Sequence, residues 1–251
     1  IDRVMKKLNH SIYKRASMVV SLTDEMKDFL LKNRPELTVD RVTTIANWAH
    51  EKKSVATPEA YERFGYTPDQ FIVAYFGNMG TCQEMETLLG AMRTLREQEK
   101  ISFLFVGHGN KKEHVEQIAE EVGNAQVIDF LTGEAFQQAV SIASCCVVSL
   151  EKGLMGMCAP SKLYSYLQGG KPIFAVVEEG SYIAQEVEQE RIGRAVSIGD
   201  VNALTEAILI LNRTREECRI MGDRAVALYE RKYTIEISLD KYADMFGKLL
   251  G

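Results

Sequence analysis

The sequence predicts an α/β fold, a doubly wound parallel sheet with flanking helices, and three observations carry that expectation. Short, continuous apolar runs alternate with amphipathic stretches through most of the 251 residues. Each run is too apolar to alternate inside and outside, so the strands it marks are buried on both faces, as in a parallel sheet covered by helices. Two of the runs end in glycine-bearing turns, at the edge where such sheets bind ligands. The composition, 46% hydrophobic and 26% charged, suits a globular chain with a full-sized core.

The elements follow in order. Met18–Val20 reads as a short strand, and Ser21 begins a helix with Asp24 as the second half of a capping box. Val42–Ile45 is a second short strand. Residues 48–70 are polar, carry Pro58 and Pro68, and read as a hinge with a short helix near Tyr61. The main body then supplies strands at Ile72–Phe76, Ser102–Val106, Gln126–Asp129, Cys145–Ser149, Ile173–Val177 and Ala195–Ile198. Between and after them lie helices at Glu84–Glu97, Lys111–Val122, Glu134–Ala143, the stretch opened by Ser161, Tyr182–Glu190 and Val201–Leu211. Arg215–Arg231 is a further helix. Ile235, Leu239, Tyr242, Phe246 and Leu249 mark a last one, whose apolar stripe reads as core or domain packing, with a membrane surface as the lesser alternative.

Charge and cysteine usage narrow the function classes. A formal net charge of −5 argues against a general nucleic-acid binder. Five cysteines, an odd number without CxxC or zinc-ligand spacing, fit a reducing compartment. No apolar run reaches the ~18 residues of a membrane span, and peripheral membrane contact stays compatible with the sequence. His10, His50, His108 and His114 form no ligand spacing, so no metal site is expected. No GxSxG nucleophile motif occurs. The first residues read as the middle of a helix, which leads us to expect a fragment of a longer protein.

The stretch Ala159–Pro172 carries the strongest chemical signal. Pro160 ends a loop, Ser161 is placed to cap a helix, and Lys162 lies in its first turn. A lysine there opposes the helix dipole, so it is either solvated or paired with an anion. A helix start with free amides and a cation is a recipe for holding phosphate. Gly77-Asn78-Met79-Gly80 and Gly107-His108-Gly109 follow the first two main-body strands. Either is a plain turn when taken alone. Neither completes a dinucleotide GxGxxG, since the third glycine would fall at Lys112, and no Gly-Lys-Ser/Thr marks a P-loop. His108 is read equally as a ligand contact and as a solvated loop residue. Lys111 and Lys112 read as a polar helix start, and the acidic helix faces as solvated.

Taken together in order, these pieces resemble the carboxyl-terminal half of a GT-B glycosyltransferase of family 4 (group 1), of the bacterial surface-polysaccharide type. The resemblance runs through Ala16–Leu30, Ile45-Ala46-Asn47-Trp48-Ala49, Tyr75–Gly80 with Gln83 and Glu86, Phe105–Gly109, Pro160–Tyr164 with Gly170-Lys171-Pro172, and Gly199-Asp200. It implies four segments: residues 1–47 as the end of an amino-terminal acceptor domain, 48–70 as hinge, 71–231 as the nucleotide-sugar donor domain and 232–251 as a crossover helix. It implies retaining transfer from a UDP- or GDP-sugar, with no cofactor and no metal, to a saccharide or lipid-linked acceptor. The protein would work in the cytoplasm, at the inner face of the membrane if the acceptor is lipid-linked.

The resemblance also assigns residues. Gly77, Asn78, Met79 and Gly80 would line the diphosphate with Gln83, facing Gly107, His108 and Gly109. Ser161, Lys162 and Tyr164 would form the phosphate wall, Ser165 would meet the ribose, and Phe130, Leu131 and Thr132 would meet the base. The catalytic residues would lie in the missing amino-terminal domain, so the chain by itself is expected to bind donor and turn nothing over. Departures are visible: Asn78 and Gln83 stand where many members carry arginine and lysine. Met157 and Ser165 stand where many carry two glutamates, and His50 replaces the usual aspartate. Competing readings are a GT-B nucleotide-sugar epimerase, a non-catalytic nucleotide-sugar-binding module, and a nicotinamide-binding domain, which the broken glycine pattern disfavours.

Overall fold

The computed structural model describes residues 2–50 and 53–250; Glu51 and Lys52 of the predicted hinge, and Ile1 and Gly251, lie outside it. Helix α1 (Asp2–Arg15) leads into strand β1 (Val19–Ser21), helix α2 (Asp24–Asn33) and strand β2 (Val42–Thr44). β1 and β2 pair in parallel as a two-stranded sheet. Ser21 belongs to β1 rather than to a helix start. Its hydroxyl donates to the Thr43 carbonyl at 3.2 Å and lies 3.1 Å from Thr44 Oγ1, so the strand pair consumes it. Thr23 caps α2 instead, its Oγ1 accepting from the Met26 amide at 3.0 Å.

The predicted hinge is more structured than its composition suggests. Thr57 caps helix α3 (Pro58–Arg63), and Ala60, Phe64 and Tyr66 are buried against the main body. Tyr66 Oη donates to the Phe103 carbonyl at 2.6 Å, fastening the segment to the central sheet.

The main body contains strands β3 (Phe71–Asn78), β4 (Ile101–His108), β5 (Ala125–Ile128), β6 (Cys145–Ser149), β7 (Ile173–Val177) and β8 (Gly193–Ser197). All pair in parallel, in the spatial order β5-β4-β3-β6-β7-β8. The chain winds outward from β3 to β5, returns to β3, and winds the other way through β8. This is the doubly wound order, with its switch point between β3 and β6. Intervening helices are α4 (Glu86–Thr94), α5 (Lys112–Val122), α6 (Gly133–Ile142), α7 (Lys162–Gln168), α8 (Tyr182–Gln189) and α9 (Val201–Arg213). Helices α10 (Arg215–Lys232) and α11 (Ile235–Leu250) close the chain.

Strand alternation splits the core into two layers. Ile72, Ala74 and Phe76 of β3 face one layer with α3, α6, α7, α8 and α10. Phe71, Val73 and Tyr75 face the other with α4, α5 and α9. Lys171 is structural: its ammonium donates to the Ser141 and Ala143 carbonyls, at 2.6 and 2.7 Å, at the end of α6. The two-stranded sheet is fastened to the main body by Glu25, whose carboxylate accepts from the Gly156 and Tyr182 amides, each at 3.0 Å. Ser238 of α11 donates to the Ala46 carbonyl at 2.8 Å. The apolar stripe of α11 does not pack into the described core: Ile235, Leu239, Phe246 and Leu249 are exposed, and its buried positions are Ser238 and Met245.

The two glycine turns prove to be the last rungs of the β3–β4 ladder. Gly77 lies opposite Gly107, and Asn78 opposite His108. A Cβ on Gly107 would stand 1.9 Å from the Gly77 carbonyl oxygen, and one on Gly109 2.3 Å from that of Met79. Glycine there lets the backbone leaving β3 lie against β4. Gly107→Ala is expected to destabilise the protein by about 3 kcal/mol, the range of an overpacked core. Gly123→Ala also sits at positive φ, yet its Cβ would meet nothing within 4 Å. Its expected loss is only about 1 kcal/mol. Chemical denaturation of both variants checks the difference.

Candidate functional site

A cleft of about 610 Å³ opens at the carboxyl ends of the strands, at the switch point between β3 and β6. That is within the ordinary range for a small-molecule site. Its floor comes from the end of β3 (Phe76, Gly77, Asn78) and the loop that follows it (Cys82, Gln83). One wall is the 158–162 segment with Ser165, and the other is Phe130, Leu131, Thr132 and Phe136 at the start of α6.

Two tethers shape the floor. Tyr166, fully buried, receives the Phe76 amide at 3.0 Å and donates to the Phe76 carbonyl at 3.3 Å, which locks α7 onto β3. Lys111 donates to the Gln83 carbonyl at 2.7 Å and to Glu151 at 2.6 Å, while the Glu151 amide donates to the Cys82 carbonyl at 2.9 Å. Lys111 is therefore a tie between the β3–α4 and β6–α7 loops, not merely a polar helix start.

Lys162 is the electrostatic centre. Its ammonium donates to Tyr75 Oη at 2.6 Å and lies 3.8 Å from that ring's centroid. Tyr75 in turn donates to the Asn78 carbonyl at 2.7 Å. A Cβ at Gly77 would sit 3.4 Å from Lys162 Cε, so the glycine leaves the side chain its channel. Burial pulls the ammonium down to about 7 from its ordinary value near 10.5. The same burial pushes the Tyr75 phenol up, so this partner stays neutral. Among the described residues lining the cleft, Lys162 is the one lysine or arginine, and there is no carboxylate.

Several expected residues lie elsewhere. Ser161 is at the start of α7 but with helical backbone and no side-chain capping bond, so its expected capping role is not realised. The Leu163 and Tyr164 amides are engaged by the Pro160 and Ser161 carbonyls, which leaves fewer free donors than expected. Tyr164 points away from the cleft. Two residues from Lys162, it falls on the helix's opposite side and packs edge-on against Tyr233, 5.1 Å between centroids. Met79 is fully buried in the second core layer, and Gly80, Gly107 and Gly109 shape backbone without lining the cleft. His108 stacks edge-on at 5.3 Å behind the exposed Phe130. Gln83 Oε1 is taken by the Gly80 amide at 3.3 Å. The cleft thus brings together Gly77, Asn78, Gln83, Phe130, Leu131, Thr132, Ser161, Lys162 and Ser165.

Sequence reasoning missed Trp48 and His50, whose rings lie 6.0 Å apart, and also Cys82 and Cys158. Trp48 is the chain's single tryptophan, set in an otherwise polar stretch, and that isolation was the available signal. Among the described residues, no group of three or more His, Cys, Asp or Glu side chains is placed to hold a metal ion. No described helix is long and apolar enough to cross a membrane.

The fold is that of a doubly wound α/β domain with a cleft at its switch point. The sequence model described as "Glycosyl transferases group 1" matches residues 70–213, and the chain belongs to that family. It is 29% identical over 255 residues to the probable glycosyltransferase WbjE of Pseudomonas aeruginosa, covering 99% of this chain and 62% of that protein. It is 29% identical over 119 residues to the putative colanic acid biosynthesis glycosyl transferase WcaI of Escherichia coli K12, covering 47% of this chain and 29% of the relative. The chain thus spans less than two thirds of the curated relatives it matches. Among solved structures it superposes on sucrose-phosphate synthase of Thermosynechococcus elongatus with a TM-score of 0.79, at 19% identity over 97% of this chain and 61% of that one. Anabaena HepE, solved with UDP-glucose, gives 0.76 at 14% identity over 96% and 67%. These likenesses establish the GT-B type of fold.

The buried ammonium has a consequence for stability. Between its folded value near 7 and its unfolded value near 10.5, the unfolded chain binds more protons at Lys162 than the folded chain. Stability from this residue therefore rises with pH through that window. Lys162→Met is expected to flatten the rise between pH 7 and pH 9 in urea denaturation. Lys111→Met is expected to speed amide exchange at residues 80–85 by releasing the floor loop.

Proposed function

We propose that the cleft binds the nucleoside diphosphate of a UDP- or GDP-sugar, and that this chain is the donor-binding part of a retaining glycosyltransferase. The acceptor would be a saccharide or a lipid-linked saccharide in polysaccharide biosynthesis. One observation carries the reading. In a chain of net charge −5, the cleft at the switch point is lined by a buried ammonium with a neutral partner and, among the described residues, by no carboxylate. A diphosphate supplies the charge that Lys162 lacks, and the low-dielectric surroundings strengthen that attraction. Family membership and the solved HepE complex with UDP-glucose support the same reading.

The geometry supports a role for Lys162 toward the departing group. Negative charge grows on the diphosphate as the sugar bond breaks. A fixed ammonium positioned before the reaction stabilises that charge with little reorganisation. Gly77 allows the phosphate chain to approach the backbone of β3. Exposed Phe130 offers a flat face for the base, and Ser165 a hydroxyl for the ribose.

A thermal-shift and calorimetric panel of UDP, GDP, ADP and NAD tests this. UDP or GDP is expected to stabilise the chain in proportion to its occupancy. Lys162→Met should weaken that binding about 10- to 100-fold, the worth of a lost charged hydrogen bond. Wild-type affinity should be flat below about pH 7 and fall above it as the ammonium discharges. A response to NAD alone, or unchanged affinity in the variant, would sink the assignment.

A further inference from the structure

Two of the five cysteines stand in the cleft without a role in donor binding. Cys82 lies on the β3–α4 loop with an exposed thiol, and Cys158 lies across from it on the β6–α7 loop, half-buried. Both thiols are free, and both line the same cleft. The two loops touch at this point: the Glu151 amide donates to the carbonyl of Cys82 itself at 2.9 Å, and Lys111 bridges Gln83 and Glu151. The remaining thiols are set apart. Cys145 and Cys146 are fully buried in β6, and Cys218 is on the far helix α10.

We propose that Cys82 and Cys158 form a dithiol modification site, which exchanges with low-molecular-weight disulfides and closes to an intramolecular disulfide across the cleft. Cys82 is the exposed partner and attacks first. Its thiolate displaces one sulfur of the small disulfide, giving a mixed disulfide on Cys82 and releasing one small thiolate, which takes up a proton. Cys158 gives its proton to solvent and attacks the Cys82 sulfur, expelling the second small thiolate. Two protein thiols are thereby oxidised by two electrons, and one small disulfide is reduced to two thiols. Burial, with the neighbouring Cys82 thiol, holds the Cys158 thiol above its ordinary value, which suits the second, resolving role better than the first. The new bond would clamp the Ala159-Pro160-Ser161 wall onto the floor loop and narrow the space in front of Lys162.

The test uses the full chain, with oxidised glutathione as the probe and reduced glutathione as the control. Non-reducing peptide mapping is expected to show a Cys82–Cys158 cross-link with no retained glutathione, reversed by dithiothreitol. Cys158→Ser should stop at a glutathione adduct on Cys82, and Cys82→Ser should leave Cys158 unmodified. A stable adduct on wild-type Cys82 with Cys158 free, or cross-links through the other cysteines, would overturn the site. UDP affinity before and after oxidation reads the narrowing and rests on the donor-site reading above; a loss of tenfold or more is expected. If the reduced chain binds UDP and cross-linking leaves affinity unchanged, the narrowing is wrong. If the reduced chain binds no nucleotide, the donor-site reading fails, while the peptide map still decides the dithiol site.

Discussion

Strand β3 is hydrogen-bonded to β4 on one side and β6 on the other, and the sheet's winding reverses across it. The other features of the cleft follow from that position. A reversal sends the chain after β3 and after β6 to helices on opposite faces of the sheet, α4 and α7, and a crevice opens at the strand ends between them. Phe71 to Phe76 are buried on both faces, so β3 cannot shift register without exposing one layer of the core. The rigid strand fixes Gly77 and Asn78 at the crevice, Tyr166 clamps α7 to the same strand, and Lys162 is delivered to the same spot from the other side.

The position of Lys162 is costly for the folded chain. An ammonium that has lost most of its water and finds, among the described residues, a phenol and its ring face works against folding until it discharges or meets an anion. The surrounding structure sustains it through large apolar burial in both layers and through the ties made by Tyr166 and Lys111. Local destabilisation held by a stable frame is a familiar property of binding sites.

Much of the fold was legible because its signals are local. Continuous apolar runs such as Ile72–Phe76 and Ile173–Val177 can hardly be anything but strands covered on both faces, and their alternation with helices fixes the parallel winding. Boundaries were less legible where a side chain has two suitors. Ser21 looks like a helix cap in sequence, but its hydroxyl bonds across to β2, 22 and 23 residues further along the chain, once the two strands pair. The site was partly legible. Lys162 stood out because it opposes its own helix dipole, whereas Tyr164, two residues on, is turned into the core by helix geometry that a motif does not display. Gly107 and Gly109 looked like ligand approaches, and their need is instead the neighbouring backbone of β3. Trp48 and Cys158 reach the cleft only through tertiary folding, from segments with no periodicity to betray them.

Glu25 gives the small sheet a mechanical meaning. One oxygen holds the Gly156 amide on the loop leading to the cleft wall, and the other holds the Tyr182 amide at the start of α8. Gly156 lies so close beneath α2 that a Cβ there would stand 2.6 Å from Phe29 Cβ, so the contact is rigid as well as polar. Pulling α2 away would strand two amides, at about 1–3 kcal/mol each. The helix and the loop therefore behave as a strut and its footing, and a push delivered to the two-stranded sheet is felt four residues before Pro160, beside the wall that faces Lys162.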